Sequence, residues 1–274
     1  MSILVVAKDQ ASDLFRRRYL LVILIGCMAV IGMWIGYLAL MKNYMAMAQN
    51  VQVQGGHKPN AAEMGQMSRM MIGGLQVALL GLVNSIATVL SLTLMCYSVR
   101  SEVAKGTFRM ILSRPVRRYE FFVGKWLGCV SIVFVFSLFM GILVSIYTYY
   151  AFGGLEPIVP ISLALGFLKA IMVGSVGMAV AMFIHPLPAL IVTFLAAGET
   201  FLFMARFSSG AAKAILNTLF YVLPSYKAFD VHTGIVTGTS VSGEEIAYRC
   251  AYAVLLSMLM LLAGTALFQR RDLA

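Results

Sequence analysis

The sequence predicts an all-α integral membrane protein with six transmembrane helices. Three observations carry this. The chain is 61% hydrophobic and only 12% charged, where an ordinary soluble domain carries about 25% charged residues. Its mean hydropathy is +0.89. Uncharged apolar runs, each close to the ~20 residues a bilayer core requires, recur along nearly the whole chain.

The elements follow in order. In residues 1–18, Ile3, Val6, Leu14 and Phe15 alternate with Lys8, Asp9, Asp13 and Arg16. That pattern suits an amphipathic interfacial helix on the cytoplasmic surface; a frayed basic terminus is the bland alternative. Span one is expected at 19–41. It is too long for a signal-peptide core, and no cleavage pattern follows it. Span two is expected at 75–97, inside an uncharged run, and span three at 126–152. Spans four and five are expected at 160–184 and 187–205. The His185-Pro186-Leu187-Pro188 turn joins them as antiparallel neighbours. Span six is expected at 250–269.

Cation counting sets the orientation, because short positive loops stay in the cytoplasm. The N-terminus, the 98–125 loop and Arg270-Arg271 together hold thirteen cations. The opposite side holds seven over longer loops: Lys42, Lys58, Arg69, Arg206, Lys213, Lys227 and Arg249. Both termini are therefore expected in the cytoplasm of a cell-membrane protein, with outer loops at 42–72 and 206–248. In the first outer loop, Asn60 and Glu63 fit a capping pair opening a helix that runs into span two. In the second, the apolar stretch 211–223 fits a short re-entrant helix before Pro224, and Ser242 with Glu245 fits a cap for span six.

The formal charge of +10 does not indicate nucleic acid. The cations flank apolar spans instead of striping a soluble fold, which matches topology signals beside anionic lipid. Cys27, Cys96, Cys129 and Cys250 lie in or beside apolar spans without C-x-x-C spacing, so they read as small buried hydrophobes and not as metal ligands or disulfides. Met41, Met45, Met47, Met64, Met67, Met70 and Met71 cluster near His57. Thioethers suit Cu(I), yet Met is also a flexible hydrophobe. An apolar helix face is the preferred reading, and no metal site is expected.

The 98–125 loop holds most of the chemistry. Arg100, Lys105, Arg109, Arg114, Arg117, Arg118 and Lys125 put seven cations into 26 residues. Within 102–112, Val103, Phe108, Ile111 and Leu112 oppose Glu102, Lys105 and Arg109, and Ser113-Arg114-Pro115 stops the pattern. This is either a solvated topology loop or a short surface helix whose Phe plugs a partner's groove.

The run E-x-x-x-G-T-F-R-x-x-L-S-R-P-x-x-R, followed by G-K, resembles the cytoplasmic loop of ABC-2-type permeases, the membrane subunits of one class of ABC exporter. The matching residues are Glu102, Gly106, Thr107, Phe108, Arg109, Leu112, Ser113, Arg114, Pro115, Arg118, Gly124 and Lys125. Phe268 to Leu273 is similar to the family's ending, and Leu223-Pro224-Ser225 to a recurring Pro position. The resemblance implies a coupling helix at 102–112 that docks on a separate ATPase subunit through Glu102, Lys105, Gly106, Thr107, Phe108, Arg109, Leu112, Arg114 and Pro115. It also implies two ATPase copies, which bind the ATP and Mg, and a second permease copy or a paralogue. The chain itself is not expected to be an enzyme. A P-loop needs G-x-x-x-x-G-K-[ST]; at the lone Gly124-Lys125, Tyr119 replaces the first Gly and Trp126 the Ser or Thr.

Two charges fall inside expected spans. Lys169 lies ~13 Å into span four, and Glu199 sits at a matching depth in span five. They are expected to pair or to face a shared cavity, as a structural ion pair or as part of a substrate path. No second intramembrane carboxylate accompanies Glu199, so paired-carboxylate catalysis has no basis. The leading expectation is an exporter subunit for a hydrophobic or amphipathic cargo. A membrane scaffold that gathers a surface assembly without pumping is the alternative.

Overall fold

The computed structural model describes residues 5–8, 12, 32, 61–104, 118–152, 158–196, 198–233 and 241–270. The described residues are helical, with turns and no strand. Seven helices are named here: α1 (Ala61–Ala104), α2 (Arg118–Phe152), α3 (Ile158–Val180), α4 (Pro186–Leu195), α5 (Gly198–Phe207), α6 (Ala211–Val222) and α7 (Gly243–Arg270). Two 3-10 turns, Lys227–Phe229 and Val231–Thr233, lie between α6 and α7. The chain divides into two compact units, residues 11–72 and the remainder. Of the first, only Ser12, Gly32 and the opening turns of α1 are described, so the expected span at 19–41 lies outside the described residues.

Four helices are long and apolar enough to cross a membrane: Gln76–Ser98 of α1, Tyr119–Ile146 of α2, α3, and Gly243–Leu267 of α7. Their outward faces carry half-exposed or more exposed Phe134, Phe139, Ile142, Leu255, Met258 and Leu262. In water such continuous apolar faces would drive aggregation; a bilayer core is the solvent they fit. The chain is a membrane protein on this ground. Several hydroxyls inside these helices are satisfied locally, while Ser91 and Ser137 are buried without a partner. Ser85, Thr88, Thr93, Ser131 and Ser257 each donate to the carbonyl four residues back at 2.7–2.8 Å, as an apolar surrounding requires.

Several boundaries differ from expectation: α3 ends at Val180 and not at 184, and α7 starts at Gly243 and not at 250. α1 continues to Ala104 and α2 already begins at Arg118, so Gly124-Lys125 belongs to a helix and not to the loop. Lys125 is buried, with Nζ 5.5 Å over the Phe121 ring. The segment expected as one span at 187–205 is two ten-residue helices, α4 and α5. Each reaches only ~15 Å, half a bilayer core. Pro186 starts α4 at its first turn, where its missing N–H is no loss. α4 closes at Ala196, whose N–H donates to Val192 O at 2.8 Å, and α5 opens at Gly198. α5 and α6 pack on one another across a turn at Gly210, whose φ of 63° favours glycine. Glu245 N–H donates to Ser242 Oγ at 3.2 Å and starts α7.

α3 is the central helix: 67% of its membrane window is buried, against 22–39% for the other three. α1 runs parallel to it. Asn84 meets Gly166, Ser91 and Met95 meet Gly174, and Leu92 and Cys96 meet Gly177. α2 runs antiparallel, with the Trp126 indole N–H donating to Ser175 Oγ at 2.8 Å and Phe134 edge-on to Phe167 at 5.5 Å. Lipid supplies no hydrophobic drive between helices, so close approach over small residues is what holds α1 to α3.

Gly174→Leu is expected to cost about 1–3 kcal/mol by overpacking against Ser91 and Met95. Gly74→Leu, where nothing lies within 4 Å, is expected to be near neutral. Thermal unfolding of the purified protein in detergent reads both.

Candidate functional site

Lys169 occupies the midpoint of α3, eleven residues from Ile158 and eleven from Val180, hence ~16 Å from either end. A lysine there has no helix end within easy reach for its ammonium. Its Nζ instead donates to Asp230 Oδ1 at 2.8 Å, with side chains 12% and 28% exposed.

Asp230 is delivered by an irregular segment, residues 224–233. Its backbone folds into short turns, with Phe229 N–H on Tyr226 O at 3.4 Å and Asp230 N–H on Lys227 O at 2.9 Å. Apolar anchors bracket the carboxylate: Phe229 is fully buried before it and Val231 nearly so after it. Both join a cluster with Leu92 and Cys96 of α1, Leu165, Met172 and Val173 of α3, Ala189 of α4 and Ala253 of α7. Phe229 stacks on Tyr252 of α7 at 6.3 Å, and Tyr226 Oη donates to Thr193 O at 3.3 Å. Irregular backbone beside membrane-length helices is tolerated only where protein covers it, and these contacts provide the cover.

His232 completes the cluster. Its Nε2 would lie 3.1 Å from a Cβ built on Gly81, so α1 leaves room for the imidazole by having glycine there. Its Nδ1 is buried without a hydrogen-bond partner. Burial pushes the imidazole below its ordinary value of 6.5; Asp230 opposes that and Lys169 adds to it. Above this level on α1, Asn84 donates to Ser162 O and Oγ at 3.4 and 3.5 Å. Gln76 Nε2 donates to Thr148 Oγ1 of α2 at 3.4 Å, leaving its own buried Oε1 unpartnered.

The sequence-predicted site residues fall as follows. Lys169 pairs with Asp230, a carboxylate the sequence reading did not consider. Glu199 is the second residue of α5, and its side chain lies outside the described residues. A signal was present: Asp230 is the sole acidic residue between Glu199 and Glu244. Glu102 sits in the last turn of α1 with its side chain undescribed, and Lys105, Gly106, Thr107, Phe108, Arg109, Leu112, Arg114 and Pro115 lie outside the described residues. So do the side chains of the methionine cluster. Among the described residues, no three His, Cys, Asp or Glu come together as metal ligands.

Beside this polar centre, α2 and α3 enclose an open groove of about 820 Å³ lined by Phe134, Leu138, Ile142, Tyr149, Leu163 and Phe167. Chemically it offers carbon to a greasy ligand, whereas the Lys169 centre offers charge.

No family model matches the chain, and no curated protein matches it.

Removing one member of the ion pair strands the other. Lys169→Met is expected to cost about 3 kcal/mol, near the lower end for buried pairs because Asp230 keeps some exposure. The double variant Lys169→Met/Asp230→Met should recover most of it, read by unfolding in detergent. For His232, the unfolded chain takes up a proton before the folded one does. Stability is therefore full above pH 6.5 and declines as pH falls from there toward the depressed folded-state value. His232→Asn should flatten the melting profile over that window.

Proposed function

We propose that this chain is the membrane-spanning subunit of an ATP-driven exporter of the ABC-2 type, carrying a hydrophobic or amphipathic substrate. The observation that carries the reading is the run from Glu102 to Lys125, with Gly106-Thr107-Phe108-Arg109 and Ser113-Arg114-Pro115 in order. The ending from Phe268 to Leu273 adds to it. So does the setting of the run between α1 and α2, two helices long and apolar enough to cross a bilayer.

In this reading ATP and Mg are held by a separate ATPase subunit, two copies serving two permease chains. The loop at 102–112 is the mechanical contact. Phe108 supplies apolar area that is worth most when it fills a closed groove. Arg109, Lys105 and Glu102 fix its register on the partner. Closure of the ATPases on ATP pushes this contact, and helices packed as tightly as α1 on α3 move as rigid bodies. The substrate path lies at the interface of the two permease chains, and both termini lie in the cytoplasm.

The test is a gentle-detergent pull-down of the tagged protein from its own membrane, followed by mass spectrometry. A stoichiometric ABC ATPase is expected, lost on Phe108→Asp. Phe108→Asp and Glu102→Lys should each abolish ATP-dependent transport without lowering membrane insertion. Transport that survives in both variants, or function that persists with an ATPase-dead partner, would replace this reading with a scaffold.

A further inference from the structure

The segment 224–233 is held in the bundle in an unusual way. A transmembrane helix is fixed by its own ladder of backbone bonds, but this segment has only short turns. Side-chain anchors and the charge on Asp230 are among the contacts that keep it in place. Most of the anchors are apolar and tolerate sliding; Tyr226 adds one hydrogen bond, to Thr193 O at 3.3 Å. The ion pair is directional and sits at the midpoint of the most buried helix. Nor is the pair sealed: Lys169 keeps 12% and Asp230 28% of its side-chain surface. For stability alone, two apolar side chains in place of such a pair are often neutral or better.

We infer that Lys169 and Asp230 are positioning residues that form a releasable lock, and that segment 224–233 is a strap that leaves the bundle when the lock opens. The direction of release follows from the packing. α1, α3, α4 and α7 each contribute residues to the cluster around Phe229 and Val231, so withdrawing the strap breaks its own contacts with all four at once, without parting the helices from one another, and leaves the Lys169 ammonium facing the space it vacated. Gly81 faces His232 on the α1 side with no side chain to interlock, so on that wall the apolar contacts of Leu92 and Cys96 are what the movement must break. As the moving part of a transport path the strap rests on the permease reading; the movement itself does not, and its test needs neither ATPase nor substrate.

The experiment is hydrogen–deuterium exchange with mass spectrometry on the full chain in lipid nanodiscs, comparing wild type with Asp230→Asn. In wild type, amides of 225–233 are expected to exchange faster than those of mid-α3 by sub-global opening. In Asp230→Asn their rate should rise at least tenfold while α3 and α7 stay as protected as before. The reciprocal swap Lys169→Asp/Asp230→Lys should return the rate toward wild type. Strap protection unchanged by Asp230→Asn would overturn the lock. So would a parallel rise in α3 and α7, because the pair would then hold the whole bundle together and not one segment. If Asp230→Asn does not fold, Asp230→Glu, which keeps the charge and lengthens the reach, is read by the same criteria.

Discussion

A charge placed halfway along a membrane-length helix must find its counter-charge inside the protein. Lys169 is that charge, and its need for Asp230 explains why irregular chain is drawn in beside α3. Isolated in a low-dielectric interior, the ammonium would bear a desolvation penalty of several kcal/mol. The partner cannot come from a neighbouring membrane-length helix, because in the described residues of those helices the facing positions are apolar, hydroxyl, amide or glycine. It comes from residues 224–233, and bringing them in obliges the bundle to cover their backbone. Phe229, Val231 and Tyr226 do this.

The same requirement orders the faces of α3. Positions four apart share a face, and Ser162 and Gly166, then Gly174 and Gly177, present small residues to α1. Leu165, Lys169 and Met172 form an adjoining strip that meets the irregular segment. One helix thus carries a close-packed wall and a charged wall side by side. Close packing on the first fixes α1, and with it Gly81, at the distance where His232 fits. The polar centre and the glycine seam are parts of one arrangement.

Much of the fold was legible in the sequence, because apolar run length is a strong signal in membrane proteins. Four of the expected spans overlap the four membrane-length helices, and Ser242 does cap α7. The expected fifth span was misjudged because hydropathy averages over backbone breaks. The stretch 187–205 is apolar apart from Glu199 and two threonines, yet it is two helices, ending at Leu195 and starting again at Gly198. Lys169 was legible because a lysine in an apolar run is conspicuous. Its partner was not, because the pairing spans 61 residues and carries no period. The depth argument that selected Glu199 compared positions along spans and had no means of placing a loop residue at the same level.

An ion pair is a poor choice if stability alone is the goal. Two apolar side chains of similar volume would fill the space between α3 and residues 224–233 without desolvating any charge, and such replacements are often neutral or stabilising by 1–4 kcal/mol. What a pair offers instead is one specified partner. Apolar packing around Phe229 accepts many arrangements as atoms slide past one another; the hydrogen bond from Nζ to Oδ1 at 2.8 Å weakens steeply with distance and angle, while the attraction between the charges draws the same two groups back together. The combination gives the segment a definite home position within an otherwise forgiving cluster. The imidazole of His232 beside it, buried at Nδ1 without a partner, adds a group whose charging the home position disfavours. The local chemistry therefore favours one arrangement of charges and one placement of the chain together.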